Sequence, residues 1–354
     1  MFKFLIIIRP LGLLYGSAGA FLSPENLVGK SGAKFPPDAA TLSGLILGTN
    51  QEKNFTDHQE LKTNLTVAGA FWAQDEDPEN FFVPIPRSRI VGKKNKDFDD
   101  WDLTSGKWDR QTDLVPEYKW QSINSWHKQT QQLKRPEGKK LNDVAKTPWE
   151  FLPILHPYLK DDEKHVRDQD GLFLENAVQM REDSCLVYLS THKLPDGWYR
   201  FGGENHIVEI KSKAIEAHTS IAKLLNQKIQ RSFALIAPAV WGSNNLSTRY
   251  PKDVRFSNKR PEMLTDRPEP FRYRVGKGDE NNKRASKLSI GRYAVPVGTV
   301  YVVKLKDPLN LTWWDFPLEW FPSGEGLPLR QFGCGLCLPI EIKIEPKIEQ
   351  KGLD

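Results

Sequence analysis

Two cysteines near the end of the chain have the spacing of a metal or redox motif. Cys334-Gly335-Leu336-Cys337 is a CxxC sequence, and the only other cysteine is Cys185. A structural zinc ion needs four ligands, but the chain contains no second CxxC pair and no histidine at zinc spacing. A redox pair would precede a helix, whereas the residues that follow, Leu338-Pro339-Ile340-Glu341-Ile342, form a strand pattern. We therefore predict neither a bound metal nor a cofactor.

Catalytic patterns are also missing elsewhere in the sequence. The seven histidines form neither an HxH nor an HExxH motif, and only His206, close to Glu204, lies inside a recognisable motif. Gly276-Lys277-Gly278-Asp279 lacks the Ser or Thr that would end a phosphate-binding loop. The sequence therefore favours a protein that is not an enzyme.

Positive charge is concentrated in one part of the chain. The whole chain has 354 residues, 27% of them charged, and a formal net charge of +5. Residues 249–306 contain 15 Lys and Arg against six Asp and Glu, a net charge of +9. A basic segment in an otherwise slightly acidic chain indicates a polyanionic partner. Arg292 and Tyr293 lie near the end of this segment, where a charge and an aromatic ring could contact one nucleotide.

Glycines cluster at two places that could contact RNA. Gly333 and Gly335, together with Arg330, could hold a phosphate, because glycine lets backbone N–H groups approach a ligand closely. The alternative is a β-bulge near a sheet edge. Gly202 and Gly203, followed by Glu204, could form a backbone corner at the end of a strand, where the carboxylate would contact a base edge or brace a loop.

The first residues, MFKFLIIIRP, could be either a secretory signal or a buried strand. The uninterrupted apolar run, Phe4 to Ile8, has only five residues before Arg9-Pro10. Its β-branched residues favour a strand. No apolar stretch of the chain approaches the ~20 residues that a membrane-spanning helix needs. We therefore expect a cytoplasmic protein with no membrane partner.

The remaining elements predict an α+β fold with two ferredoxin-like (RRM-like) domains. A strand, a loop, a helix and two strands occur twice, which gives an N-terminal domain over residues 1–215 and a C-terminal domain over residues 216–354. Residues 93–146 lack a sustained period and are expected to be an irregular insertion anchored by tryptophans. The predicted elements are a helix that begins at Asp38, strands within 63–74, 80–86, 185–189, 197–204 and 233–237, a helix within 214–231, and a strand within 291–303.

In this order, five segments resemble the RAMP superfamily of CRISPR effector proteins, and most closely the third-subunit family of the type III-B Cmr complex. The segments are the N-terminal strand before Gly16-Ser17-Ala18-Gly19, the helix start Phe35-Pro36-Pro37 to Gly44, Phe201-Gly202-Gly203-Glu204, Tyr293-Ala294-Val295-Pro296-Val297-Gly298-Thr299-Val300-Tyr301, and Phe332-Gly333-Cys334-Gly335-Leu336. The family usually has basic residues directly after Gly-Gly-Glu, whereas this chain has Asn205-His206.

The resemblance implies a non-catalytic subunit that binds the 5′ handle of the CRISPR RNA. Its other partners would be the large polymerase-cyclase subunit and the neighbouring RAMP subunits. The residues that we predict to bind this RNA are Gly202, Gly203, Glu204, His206, Arg292, Tyr293, Arg330, Gly333 and Gly335. Two alternatives stay open, namely a RAMP-type endoribonuclease that processes CRISPR RNA and a purely structural bridging subunit.

Overall fold

The fold is α+β, with few helices and mostly antiparallel sheets. The computed structural model describes residues 1–15, 35–138, 140–157, 172–202, 205–257, 260–275, 287–304, 308–323 and 327–345. Within these ranges the helices are α1 (Ala39–Lys53), α2 (His58–Asn64), α3 (Ser220–Asn226) and α4 (Val254–Ser257).

The strands fall into two sets along the chain. The first set is β1 (Phe4–Pro10), β2 (Leu14–Tyr15), β3 (Val67–Gln74), β4 (Phe82–Pro84), β5 (Arg89–Val91), β6 (Phe98–Asp100), β7 (Asp102–Thr104), β8 (Lys107–Asp109), β9 (Trp120–Ser122), β10 (Val144–Ala145), β11 (Trp149–Pro157), β12 (Leu172–Met180), β13 (Ser184–Ser190), β14 (Gly197–Phe201) and β15 (His206–Ala214). The second set is β16 (Ser232–Leu235), β17 (Trp241–Gly242), β18 (Ser247–Thr248), β19 (Glu262–Leu264), β20 (Glu269–Phe271), β21 (Arg274–Val275), β22 (Lys287–Leu288), β23 (Arg292–Ala294), β24 (Val300–Val302), β25 (Cys337–Pro339) and β26 (Ile344–Glu345).

The two main sheets repeat one strand order. The strand order of the larger sheet is β10-β9-β4-β3-β13-β1-β15-β14. Its four central strands are β3-β13-β1-β15. If these four are numbered 1 to 4 in chain order (β1, β3, β13, β15), they are arranged 2-3-1-4 in the sheet. The smaller sheet, β19-β24-β16-β25, is also arranged 2-3-1-4. In both sheets the paired neighbours among these strands are antiparallel. A helix lies between the first and second strands each time, α1 in the first half and the single turn α4 in the second.

The first apolar run forms a central strand, as predicted. Strand β1 pairs with β13 on one side and β15 on the other. Ile6 and Ile8 pack in a core with α1, whereas Leu5 and Ile7 pack in the core that the two main sheets share. Both faces of β1 are therefore buried, which explains why its sequence is continuously apolar instead of alternating.

Helix α1 begins where the sequence predicted a helix. Asp38 occupies the N-cap position, and Leu42 and Ile46 are fully buried against the larger sheet. The helix ends at Lys53, and Asn54 adopts a left-handed conformation with φ of 46°. Such a residue satisfies a terminal carbonyl, here that of Asn50, without continuing the helix.

The helix predicted within residues 214–231 is wrong in extent. Residues up to Ala214 belong to β15, and α3 covers only Ser220–Asn226. Val208 and Ile210 of β15 are buried, whereas Ile207 and Lys211 are exposed, so this stretch has the alternation of a half-buried strand. The predicted domain boundary at residue 215 falls in the connection between β15 and α3.

The predicted insertion, residues 93–146, is partly built into the larger sheet. Strands β9 and β10 extend that sheet beyond β4. Trp126 is 1% exposed, and its Nε1 donates a hydrogen bond to the Pro339 carbonyl in the smaller sheet at 2.8 Å. The segment therefore ties the two sheets together through a tryptophan, as expected for a core anchor.

None of the helices in the described ranges combines the length and the apolar character that a membrane span requires.

Candidate nucleic-acid interface

A β-hairpin lies within the basic segment. Strands β20 and β21 form one arm, and β22 and β23 form the other. Phe271 pairs with Arg292, and Arg274 pairs with Leu288. Between these two pairs the first arm has two residues, 272 and 273, whereas the second arm has three, 289 to 291. The second arm therefore has one extra residue, at Ile290-Gly291. This is a β-bulge opposite Arg272, and it lets the hairpin bend.

The inner face of the hairpin packs against the protein. Phe271, Ser289, Arg292 and Ala294 are each no more than 8% exposed. Tyr273 is partly buried, and its ring lies 4.9 Å from that of Phe332. This face holds the hairpin to the core that the two main sheets share.

The outer face carries two arginines and an exposed aromatic ring. Tyr293 lies opposite Pro270 and is 61% exposed. Arg272 and Arg274 follow Pro270 at a spacing of two, so they belong to the same face of the arm. Arg274 is exposed, and Nε of Arg272 donates a hydrogen bond to the Ser289 carbonyl at 2.7 Å. Since Tyr293 lies opposite Pro270, Arg272 is its diagonal neighbour, and both residues belong to the outer face of the hairpin.

Arg292 and Tyr293, which we expected to contact one nucleotide together, lie on opposite faces of β23. Successive strand residues point to opposite faces, and Arg292 is 7% exposed on the inner face. Its Nη1 donates a hydrogen bond to the Ser243 carbonyl at 2.7 Å. Arg292 therefore braces the loop between β17 and β18, and a contact of both residues with one nucleotide does not fit this geometry.

The terminal glycines are packed against protein. The N–H of Gly333 donates to the Arg330 carbonyl at 2.9 Å, and that of Gly335 donates to the Pro238 carbonyl at 2.8 Å. Both glycines have positive φ, and a Cβ on Gly333 would lie 2.4 Å from that of Ala68 in β3. The predicted phosphate cradle would use these two N–H groups as donors, and both are already occupied.

Arg330 is used mainly inside the protein. Nη1 donates to the Phe316 carbonyl at 3.3 Å, and Nη2 donates to the Trp314 carbonyl. Its guanidinium carbon lies 5.3 Å from the ring centres of both Trp313 and Trp314, and burial lowers its pKa. The residue holds a short 3₁₀ segment, Leu329–Phe332, against the tryptophans.

The CxxC cysteines are buried thiols. Val240 N–H donates to Sγ of Cys334 at 2.9 Å, and burial raises the pKa of Cys334 to about 12. Burial also raises the pKa of Cys337 well above its ordinary value. Within the described ranges, no group of three or more His, Cys, Asp or Glu side chains is placed to hold a metal ion.

The Gly202–His206 corner lies at the turn of the edge hairpin β14–β15. Gly202 has a φ of +80°, and His206 opens β15 opposite Phe201. Gly203 and Glu204 lie outside the described residues. An exposed ring that the sequence analysis did not select, Trp198, lies on the same hairpin and is 75% exposed.

The corner and the terminal glycines are far apart. Gly333 packs on Ala68, and Ala68 is level with Leu5 of β1. The corner precedes Val208, which pairs with Pro10 at the other end of β1. Five strand residues separate these levels, or about 16 Å along β1. The predicted site residues therefore do not form one cluster.

Sequence reasoning missed Arg272 and Arg274. The signal was present in Arg272-Tyr273-Arg274, where two cations alternate with an aromatic residue. This is the period of a strand with one charged face and one buried face.

The sequence matches no protein-family profile and no curated protein. Solved structures that are similar to the chain are subunits of CRISPR complexes. A chain of the type III-B Cmr-beta complex bound to cognate target RNA is 11% identical, with a TM-score of 0.46, over 84% of this chain and 86% of that one. A chain of the Csm3–Csm4 subcomplex of the type III-A CRISPR-Cas interference complex is 10% identical, with a TM-score of 0.43, over 96% and 99%. A chain of the Csm1–Csm4 cassette in complex with AMPPNP is 10% identical, with a TM-score of 0.37, over 96% and 98%.

Proposed function

We propose that this chain is a non-catalytic, RNA-binding subunit of a type III CRISPR effector complex and a member of the RAMP superfamily. The five sequence segments that resemble this superfamily support the class. Within it, we assign the chain to the third-subunit family of the type III-B Cmr complex.

The repeated strand order supports two ferredoxin-like domains. In such a domain a helix connects the first two strands, and the sheet order is 2-3-1-4, as in both main sheets here. In each half, the described residues between the third and fourth strands contain no α-helix: β14 lies there in the first half, and 3₁₀ turns in the second.

The outer face of the hairpin is the observation that carries RNA binding. Single-stranded RNA is bound by aromatic rings on which bases stack and by cations that contact phosphates. Tyr293 supplies an exposed ring on a sheet surface, and Arg272 and Arg274 supply the cations on the same face. The ligand that we propose is the 5′ handle of the CRISPR RNA. As partners we propose the large polymerase-cyclase subunit and neighbouring RAMP subunits, and as location the cytoplasm.

The test is titration of a labelled CRISPR RNA that carries its handle, at several salt concentrations. The variant combines Arg274→Ala with Tyr293→Ala, and both side chains are exposed, so it should fold. Loss of stacking should weaken binding by about 1–3 kcal/mol, and loss of one phosphate contact should lower the salt slope by about 0.7.

The matched control is Lys94→Ala, which removes one exposed cation from the turn between β5 and β6. It should leave affinity and slope unchanged. An RNA without the handle should bind more weakly to the wild-type protein, and the RNA should remain intact throughout. Unaltered binding by the folded double variant would overturn the assignment of this face, and cleavage of the RNA would overturn the non-catalytic assignment.

A further inference from the structure

A second basic surface lies away from the hairpin. A groove of about 750 Å³ runs between the start of β1, helix α2 and the 3₁₀ segment Leu329–Phe332. We call it the basic groove and define it by Lys3, Lys62, Arg330, Trp314, Glu60 and His192. Its volume is in the range of pockets that hold a small ligand.

The charge in the basic groove is unbalanced. Lys3 and Lys62 are exposed, and neither ammonium group forms an ion pair with a carboxylate of the described residues. Among the described residues that line the groove, Glu60 is the only acidic one. Its carboxylate already accepts a hydrogen bond from Asn64 at 3.2 Å and lies 3.4 Å from Nε2 of His192. The groove therefore has an excess of positive charge that its own walls do not neutralise.

Two residues that line the groove also have a buried donor without a partner. Within the described residues, Nε of Arg330 and Nε1 of Trp314 have no hydrogen-bond acceptor. Buried donors are rarely left unpaired, and each such case calls for an explanation. Both residues line the same groove as the two lysines. An anionic ligand would supply the negative charge that the cations of the groove lack.

A second groove, formed by described residues and larger than the basic groove, differs in this respect. It measures about 1090 Å³, and Asp99, Asp100 and Asp102 contribute carboxylates to its lining. Oxygens of Asp99 and Asp100 accept hydrogen bonds from Thr112 and Thr130, respectively. Its charge is mixed, so it does not select an anion.

We propose that the basic groove binds a phosphoryl group, with Lys3 and Lys62 as its contacts. The phosphate belongs either to a free nucleotide or to an RNA strand that passes through the groove. This site does not depend on the hairpin, because the two surfaces have no residue in common.

The test is calorimetric titration of the full chain at low salt with inorganic pyrophosphate. The wild-type protein should bind one equivalent. The Lys3→Ala, Lys62→Ala double variant should lose about tenfold or more in affinity, as expected for the loss of charge-assisted hydrogen bonds. A control with the same loss of charge, Lys94→Ala with Lys96→Ala on the turn between β5 and β6, should bind as the wild type does. A melting curve for each variant checks folding, and a second variant, Lys62→Glu, should lose at least as much affinity because it reverses a charge.

Two further titrations identify the source of the phosphate. Tighter binding of ATP than of a uridine hexanucleotide assigns the groove to a free nucleotide, and the reverse assigns it to an RNA strand. Absence of pyrophosphate binding, or equal binding by the lysine variants and the control, would overturn the proposal. Because the hairpin variant is measured separately with CRISPR RNA, such a result would leave the proposed function intact.

Discussion

Gly335 lies directly against the indole of Trp241. A Cβ on Gly335 would be 2.4 Å from Cη2 of Trp241, closer than real side chains approach. The φ of Gly335 is +69°, and Trp241 is fully buried. The ring is also fixed by a hydrogen bond from its Nε1 to the hydroxyl of Tyr301 at 3.2 Å. The terminal glycine segment thus serves the packing of the second half of the molecule.

We expect Gly335→Ala to destabilise the protein by about 2–5 kcal/mol. A left-handed backbone conformation costs a non-glycine residue about 1–3 kcal/mol, and overpacking adds a similar amount. The measurement is denaturant unfolding. The matched control is Gly44→Ala in α1, where nothing lies within 4 Å of the added methyl group and alanine should stabilise the helix by up to about 1 kcal/mol. Equal unfolding midpoints for Gly335→Ala and the wild type would contradict this account of the contact.

Several strands and helices could be predicted because local patterns were strong. The continuous apolar run of β1 indicated a strand that is buried on both faces, and the Asp38 cap indicated the start of α1. Strand β15 was missed, although Val208 and Ile210 alternate with exposed residues. The helix predicted from the spacing at Ile221, Leu224 and Leu225 began at Ala214, six residues before α3, because periodicity alone does not give an exact boundary.

The site was harder to predict because it depends on register. Arg292 and Tyr293 are successive residues of β23. Once this strand is known, its periodicity predicts that their side chains lie on opposite faces. The position of Arg272 relative to Tyr293 depends on the pairing of Pro270 with Tyr293, and the position of Arg274 depends also on the bulge at Ile290-Gly291; no local pattern in the sequence indicates either. The contact of Gly335 with Trp241 joins residues far apart in the chain, so no local pattern predicts it.

Arg292→Ala should lower stability without changing the salt dependence of RNA binding. The substitution removes the hydrogen bond to the Ser243 carbonyl and the packing of a buried side chain, at a cost of about 1–3 kcal/mol. Since the guanidinium lies on the inner face of the hairpin, no phosphate contact is lost. Unfolding experiments and RNA titrations at several salt concentrations measure the two effects. A salt slope lowered by about 0.7, with stability unchanged, would instead place Arg292 on the RNA.

The three cysteines should be unreactive in the native protein. Cys185, Cys334 and Cys337 are buried, and burial raises the pKa of each thiol, so the thiolate is scarce at neutral pH. A thiol reagent at pH 8 should label none of them before unfolding and all three in denaturant. Rapid labelling of one thiol in the folded chain would show that its surroundings open, and peptide mapping would identify it.

Asp253 should make stability depend on pH in the acid range. Hydrogen bonds from Arg255 and from Nε1 of Trp320 lower the pKa of this carboxyl from 3.8 to about 2. Because the folded pKa is depressed, the stabilisation is complete above pH 4 and is lost as the pH falls towards 2. Allowing for solvent screening, we expect about 1 kcal/mol from this group. The measurement compares the unfolding free energy of the wild type and of Asp253→Asn between pH 7 and pH 2.5. The difference between the two proteins should shrink at the acid end, and a difference that stays constant across the range would show that the carboxylate charge contributes nothing.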